Sequence, residues 1–229
     1  MRGIAYGVGV GPGDPELMTL KAVRLIRECD VIAVPGREPR DSVAYRIAAA
    51  AAPEIDGKEL VAVEMPMTRD RAAMDAEHRK GAALLERYLD RGQNVVFLTL
   101  GDPTVYSTFS YLQHILEADG YTVEPVSGVP SFCAAAARLK TPLAEWDEPL
   151  HILPAAHRTE SLPDLPGTCV LMKSGGQMDR VKDLLRRSGR DVQAVENCTM
   201  DTERTYRGVE EIPDNAGYFT LIVAKEPRE

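Results

Sequence analysis

The chain has 229 residues, of which 44% are hydrophobic and 27% are charged, so it can hold one large domain or two modest ones with a proper core. With 35 acidic against 27 basic residues the formal net charge is -8, which argues against a broad surface for nucleic acid or anionic membranes but not against a small anionic substrate. No apolar run is long enough to span a bilayer and no charged-then-apolar leader is present, so we expect a cytoplasmic protein without a membrane partner.

The first 126 residues alternate strand and helix patterns. Strands are predicted at residues 3–10, 31–34, 59–64, 95–100 and 121–125, and helices at 16–27, 42–52, 70–91 and 106–118. Apolar residues at helical spacing, such as Leu17, Leu20 and Val23, support the helices. This alternation predicts an α/β domain over residues 1–126, with a mostly parallel sheet covered on both faces.

The pattern changes beyond residue 128. Helices are predicted at residues 131–139 and 178–188, strands at 151–153, 169–172, 192–196, 204–206 and 218–224, and a Pro-rich surface loop at 154–166. Because few helices separate these strands, the second sheet is predicted to be mixed. We therefore expect a C-terminal α/β domain over residues 129–229, with the ligand in the cleft between the two domains.

Cysteine and histidine spacing indicates neither a disulfide framework nor a metal site. The cysteines form no CxxC pair and are interpreted as buried, reduced thiols: Cys29, Cys133, Cys169 and Cys198. The histidines lack a ligand spacing such as HExxH: His78, His114, His151 and His157. We predict no metal bound directly by the protein.

Two apolar runs end in the same tripeptide, at Gly13-Asp14-Pro15 and at Gly101-Asp102-Pro103, and a helical pattern follows each. Ligands of open α/β sheets bind outside the carboxyl ends of the strands, so these turns predict a ligand site. A purely structural alternative is that each Asp caps a helix with Pro at its first position. Tyr106 and Ser107 are predicted to lie on the first turn of the second helix, facing either the site or solvent.

Glycine occupies positions 7, 9, 11 and 13. A GxGxxG fingerprint would need glycine where Pro12 and Asp14 stand, and no GK[ST] of a P-loop follows, so phosphate binding is disfavoured. Capping and tight turns do not explain four alternate glycines. We interpret them as main chain that lies flat against a ligand.

Two later segments allow a structural or a functional interpretation. Residues 124–132 join the two predicted domains and form either a hinge with a helix start or a third main-chain wall of the ligand site. Residues 169–176 form a strand that runs into a glycine turn, where a Met is more often core and a lone Lys more often solvated.

Three segments, in this order and spacing, resemble the tetrapyrrole methylase family of S-adenosylmethionine enzymes: GVGPGDPELMTLKA at 9–22, GDPTVYST at 101–108 and GVPS at 128–131. The resemblance covers essentially the whole chain. Within the family, the Tyr-Ser-Thr-Phe run at 106–109, the segment 35–46 and the chain length are most similar to members that methylate C20 of precorrin-2 or cobalt-factor II.

This resemblance implies the two-domain class III methyltransferase fold, usually as a homodimer, with S-adenosylmethionine and an anionic tetrapyrrole as ligands. The strand at 218–223 would lie near the adenine. The implied cofactor contacts are Pro12, Leu100, Gly101, Asp102, Val105, Pro130, Ser131 and Met172. The alternatives are a member that methylates C11, C17 or uroporphyrinogen III, a diphthine synthase, or a binding module without turnover.

The implied chemistry needs alignment and exclusion of water more than a nucleophilic side chain, because a sulfonium methyl group is already activated. The methylated carbon must then lose a proton, and Asp102, Lys173 and Tyr218 are the catalytic candidates on position alone. Guanidinium groups are expected to bind the substrate carboxylates, and the available ones are Arg37, Arg40, Arg69, Arg204 and Arg207.

Overall fold

In the computed structural model, which describes residues 1–66, 70–155 and 162–227 and only the main chain of residue 163, the chain divides into two units. The units are Met1–Pro130 and Ser131–Glu229, so the division falls just after the predicted boundary. Over the described ranges, no helix combines the length and the apolar character that crossing a bilayer requires.

The first unit contains a five-stranded parallel sheet. Its strands are β1 (Ile4–Gly9), β2 (Val31–Pro35), β3 (Glu59–Val63), β4 (Val95–Thr99) and β5 (Thr122–Val126). Its α-helices are α1 (Leu20–Glu28), α2 (Val43–Ala51), α3 (Arg71–Leu89) and α4 (Phe109–Ala118). The strand order is β3-β2-β4-β1-β5, and every pairing is parallel. The prediction of a parallel α/β sheet is confirmed.

Helices cover both faces of this sheet because successive strand residues point to opposite sides. Val96 and Leu98 of β4 pack in one core with α1 and α2. Val95 and Phe97 pack in the other core with α3 and α4. β4 is consequently buried along its whole length.

The strand order determines where the site residues can meet. β1 lies between β4 and β5, with Gly9 beside Thr99 and Val8 beside Val126. All three strands run in the same direction, so the turns that follow them emerge at one edge of the sheet. Each of the three sequence segments that suggested a ligand site includes one of these turns.

The second unit contains a mixed five-stranded sheet. Its strands are β6 (Leu150–Pro154), β7 (Thr168–Met172), β8 (Asp191–Glu196), β9 (Arg204–Arg207) and β10 (Thr220–Lys225), and its helices are α5 (Ser131–Leu139) and α6 (Met178–Ser188). The strand order is β6-β7-β10-β8-β9. Only the β6–β7 pairing is parallel, and the other three are antiparallel. The prediction of a mixed sheet is confirmed.

Three predicted boundaries are wrong. A separate 3-10 turn, Pro15–Leu17, uses Asp14 as its cap, and α1 starts only after Thr19, whose Oγ1 accepts the Ala22 N–H. α4 begins at Phe109 rather than at 106, because Tyr106 has a left-handed backbone with φ 49° that a helix cannot contain. β10 begins at Thr220 rather than at 218.

The cysteine and loop predictions need smaller corrections. Cys29, Cys169 and Cys198 are buried, but Cys133 is exposed on α5. The predicted loop at 154–166 begins inside β6 and includes a 3-10 turn at Leu162–Asp164, while its residues 156–161 lie outside the described part. In the described ranges no group of three or more His, Cys, Asp or Glu residues is placed to hold a metal ion.

His78 on α3 gives the fold a pH dependence that can be tested. Its ring is buried and stacks on Tyr111 of α4, with centroids 4.5 Å apart, and burial lowers the pKa of His78. The unfolded chain therefore binds more protons than the folded chain as pH falls below about 6.5, and stability decreases there. We expect His78→Phe, which keeps a stacked ring, to lose less unfolding free energy than wild type between pH 7.5 and 5.5 in urea titrations. Equal losses would contradict this assignment.

Candidate active site

The turns after β1, β4 and β5 pack main chain against main chain. A Cβ placed on Gly9 would lie 2.5 Å from the carbonyl oxygen of Gly101, and one placed on Gly128 would lie 2.8 Å from the carbonyl carbon of Gly9. Both distances are much shorter than a van der Waals contact between such atoms, so a side chain at either position would collide with the main chain. Gly101 itself has φ 68°, a conformation that favours glycine. The three turns can approach this closely only because Gly9 and Gly128 present no Cβ to the main chain of the neighbouring turns.

Hydrogen bonds fix the first two turns to each other. The Gly101 N–H donates to the Gly11 carbonyl at 2.9 Å, the Gly11 N–H donates to the Gly101 carbonyl at 3.3 Å, and the Val10 N–H donates to the Thr99 carbonyl at 2.9 Å. The two loops therefore form a single ordered surface beyond the strand ends.

Packing within the protein accounts for most of the alternate glycines. A Cβ on Gly7 would overlap the buried ring of Phe109. Gly9 faces the other two turns, and Gly11 has φ 76°. The interpretation that the alternate glycines lie flat against a ligand is wrong for Gly7, and for Gly9 and Gly11 the packing of the chain is sufficient reason.

Asp102 ties the second turn to the third. It is 7% exposed, and its Oδ2 accepts the Gly128 N–H at 3.1 Å while its Oδ1 accepts the Thr104 N–H at 2.8 Å. Thr104 Oγ1 donates to the same Oδ1. The capping interpretation of Asp102 is wrong, because α4 starts seven residues later and these bonds serve the turns instead.

Two hydroxyl groups complete the scaffold of the first unit. Thr19, the N-cap of α1, donates to the Ser127 carbonyl at 3.3 Å, which connects the start of α1 to the third turn. Ser107 Oγ lies 2.9 Å from Thr99 Oγ1 and accepts the Phe109 N–H at 3.1 Å. The second turn is thus held at Asp102 and again at Ser107.

The structure brings together most of the first-unit residues implied as cofactor contacts. Pro12, Gly101 and Asp102 are buried, whereas Leu100 and Val105 are half-buried. Pro130 ends the first unit and Ser131 begins α5 of the second unit. The roles of these residues remain predictions.

In the second unit, the end of β7 lies beside the start of β10 because the two strands are antiparallel. Met172 closes β7, and its carbonyl accepts the Ala155 N–H at 2.7 Å. Lys173 Nζ lies 5.9 Å from the centroid of the Tyr218 ring, and Tyr218 contacts Phe219 edge to face at 5.4 Å. Two of the three catalytic candidates are therefore neighbours.

This edge of the second sheet has features that the sequence did not indicate. Lys173, Asn197 and Thr199 all have φ between 51° and 66°, and strained residues of this kind cluster at functional sites. The hydroxyls of Ser174 and Thr220 are buried without a hydrogen-bond partner among the described residues. Since φ and burial depend on tertiary packing, no spacing in the sequence could have identified them.

The predicted carboxylate-binding arginines are scattered. Arg37 pairs with Glu64 at 3.7 Å, and Arg40 pairs with Asp56 at 2.6 Å, where hydrogen bonds from Tyr45 and Arg40 lower the pKa of Asp56. Both guanidinium groups already have a carboxylate partner in the protein. The other three are Arg204 and Arg207, which are the exposed first and last residues of β9, and Arg69, which lies outside the described residues.

Comparison with known proteins connects this geometry to an enzyme family. The family model described as Tetrapyrrole (Corrin/Porphyrin) Methylases matches residues 5–213. A protein of Methanocaldococcus jannaschii named probable cobalt-precorrin-2 C(20)-methyltransferase is 35% identical over 96% of this chain and 95% of its own length. The cobalt-precorrin-2 C(20)-methyltransferase of Salmonella typhimurium is 32% identical over 100% of this chain and 99% of its own.

A solved structure shows the same architecture. Uroporphyrin-III C-methyl transferase from Thermus thermophilus, determined in complex with S-adenosyl homocysteine, superimposes with a TM-score of 0.72 at 26% identity. The superposition covers 98% of each chain.

We expect Asp102→Asn to loosen the contact between the second and third turns. An amide has one acceptor oxygen and presents N–H donors at the other position, so either the Gly128 N–H or the Thr104 N–H loses its acceptor, at a cost of about 1–3 kcal/mol. Urea unfolding measures this loss. The matched control is Asp75→Asn, which changes an exposed carboxylate on α3 and should leave stability within about 0.5 kcal/mol. Equal stability of the two variants would contradict the structural role of Asp102.

Proposed function

The chain belongs to the tetrapyrrole methylase family, and from this premise we propose that it transfers a methyl group from S-adenosylmethionine to C20 of precorrin-2 or cobalt-factor II. The observation that carries the proposal is the similarity, over nearly the full length of both chains, to two proteins named as C20-methyltransferases of cobalt-precorrin-2. The similarity includes both units, so it extends beyond the turns of the first unit.

The first unit supplies a main-chain surface that suits a small polar cofactor. Gly9, Gly101 and Gly128 leave the turns without side chains where they meet, and Leu100 and Val105 border them half-buried. When bound, S-adenosylmethionine supplies a methyl group that its sulfonium already activates. We assign its binding to the main chain of residues 100–102 and to Pro12, with Val105, Pro130, Ser131 and Met172 as further contacts.

The contribution of the protein to such a reaction is alignment. Holding two reactants in a productive geometry removes several kcal/mol from a barrier, provided that the holding groups do not themselves move. Asp102 and Ser107 meet this requirement because their hydrogen bonds fix both ends of the second turn. We therefore assign Asp102 a positioning role, since both of its carboxylate oxygens already accept hydrogen bonds from the protein.

Lys173 and Tyr218 are the remaining candidates for removing the proton. The Lys173 ammonium group lies over the face of the Tyr218 ring in a cation–π contact, which keeps the two side chains together. Tyr218 is 44% exposed, so part of this residue is accessible to a ligand. We propose that the Tyr218 hydroxyl oxygen accepts the proton from the methylated carbon while it passes its own proton to solvent water, and that the nearby Lys173 ammonium group stabilises negative charge that develops on that oxygen.

The anionic substrate, the assembly and the location of the enzyme are further proposals. The exposed Arg204 and Arg207 of β9 remain candidates for the substrate carboxylates. The family resemblance suggests a cytoplasmic homodimer, for which light scattering should give about twice the chain mass of 25.1 kDa.

The function is tested by locating the transferred methyl group. The protein is incubated with methyl-13C S-adenosylmethionine and, separately, with precorrin-2 and cobalt-factor II, and the product is examined by NMR. We expect one new methyl group, at C20, from at least one of the two substrates. A methyl group at another carbon would indicate a different member of the family, and tight cofactor binding without transfer would indicate a binding module.

Single-turnover rates test the proposed proton transfer. Tyr218→Phe removes the hydroxyl but keeps the ring, and Lys173→Gln removes the charge. If the pair assists, at least one variant should be slower by about 100-fold, while its affinity for S-adenosylhomocysteine stays within twofold of wild type. Unchanged rates in both variants would remove these residues from the mechanism.

A further inference from the structure

We propose that Tyr106 is the platform on which one face of the tetrapyrrole substrate stacks, and that it is a specificity-determining residue for the macrocycle. The inference rests on the proposed function, since it concerns the second substrate of the same reaction. The sequence predicted that Tyr106 faces either the site or solvent, and none of the predicted cofactor, substrate or catalytic contacts includes it.

The backbone of Tyr106 is strained in a way that the core does not require. Its φ of 49° lies in the left-handed region, which is uncommon and energetically unfavourable for a bulky side chain. Its side chain is 44% exposed, so burial in the core does not compensate for this conformation. A glycine would satisfy the turn without strain.

The residues on either side hold Tyr106 in this conformation. On one side, Asp102 accepts hydrogen bonds from Thr104 and Gly128. On the other, Ser107 Oγ is bonded to Thr99 Oγ1 and to the Phe109 N–H. Hydrogen bonds thus hold the main chain at Thr104 and Asp102, two and four residues before Tyr106, and at Ser107 directly after it. The exposed ring projects from this hydrogen-bonded turn.

An exposed aromatic ring on a hydrogen-bonded turn suits a flat conjugated ligand. Stacking with ring centroids 4.5–7 Å apart is favourable for aromatic pairs, and a main chain that is already held loses little entropy when the ligand arrives. Tyr106 directly follows Val105 and lies four residues beyond Asp102, both of which belong to the proposed cofactor turn. The macrocycle must approach this turn for its carbon to meet the methyl group.

The experiment compares three replacements of Tyr106 with a matched control. Tyr106→Phe keeps the ring, Tyr106→Leu keeps an apolar side chain without a flat face, and Tyr106→Gly removes the side chain together with the strain. The control is Tyr111→Leu, because Tyr111 is also 44% exposed but lies on α4 against His78. Steady-state kinetics gives KM and kcat for the tetrapyrrole that the enzyme accepts. Absorbance titration measures the Kd of cobalt-factor II, and calorimetry measures the Kd of S-adenosylhomocysteine.

We expect the Leu and Gly variants to raise KM and the tetrapyrrole Kd by about 10-fold or more, with S-adenosylhomocysteine affinity within twofold of wild type. The Phe variant and the Tyr111 control should behave as wild type, and Tyr106→Gly should unfold at no lower temperature than wild type. Wild-type KM and Kd in the Leu and Gly variants would overturn the stacking role while leaving the proposed function intact. A wild-type protein that binds no tetrapyrrole would overturn both.

Discussion

The carbonyl group of Gly101 is the point on which the architecture of the first unit depends. The strand order β4-β1-β5 brings three turns to one edge, but they can share that space only because Gly9 and Gly128 present no Cβ to the Gly101 oxygen. Asp102 adds the hydrogen bond that holds the third turn against the second. The close packing at Gly9 and Gly128 and the buried Asp102 carboxylate together hold the three turns as one main-chain surface. The strand order of the sheet determines where this surface lies.

The fold could be predicted from the sequence because its signals are local and repeated. Within the described ranges, apolar runs and helical spacing identified each strand and α-helix, and their alternation distinguished the parallel sheet from the mixed one. Predicted element boundaries were wrong where one residue has a backbone conformation that its neighbours do not indicate. Tyr106 is an example, because its φ of 49° excludes it from a helix and α4 begins only at Phe109. The family was predicted from short motifs around the turns, and the match over residues 5–213 confirms it.

The roles of single residues were harder to predict, because they depend on which side chains meet across the sheet. Asp102 was predicted as a cap, a catalytic group and a cofactor contact. The capping prediction is wrong, because its oxygens accept hydrogen bonds from the second and third turns, and the other two stay predictions. The contact between Lys173 and Tyr218 spans residues far apart in sequence and follows only from the antiparallel pairing of β7 and β10. Positive φ values at Lys173, Asn197 and Thr199 leave no trace in residue spacing at all.

The central claim is that the main chain of the second turn, held by Gly9, Gly128 and Asp102, binds the methyl donor. A crystal structure of the protein with S-adenosylhomocysteine tests it most directly. The account predicts that the ligand contacts the main chain of residues 100–102 and Pro12, with the three turns packed as described. Ligand bound at another place, with this surface uncovered, would contradict it.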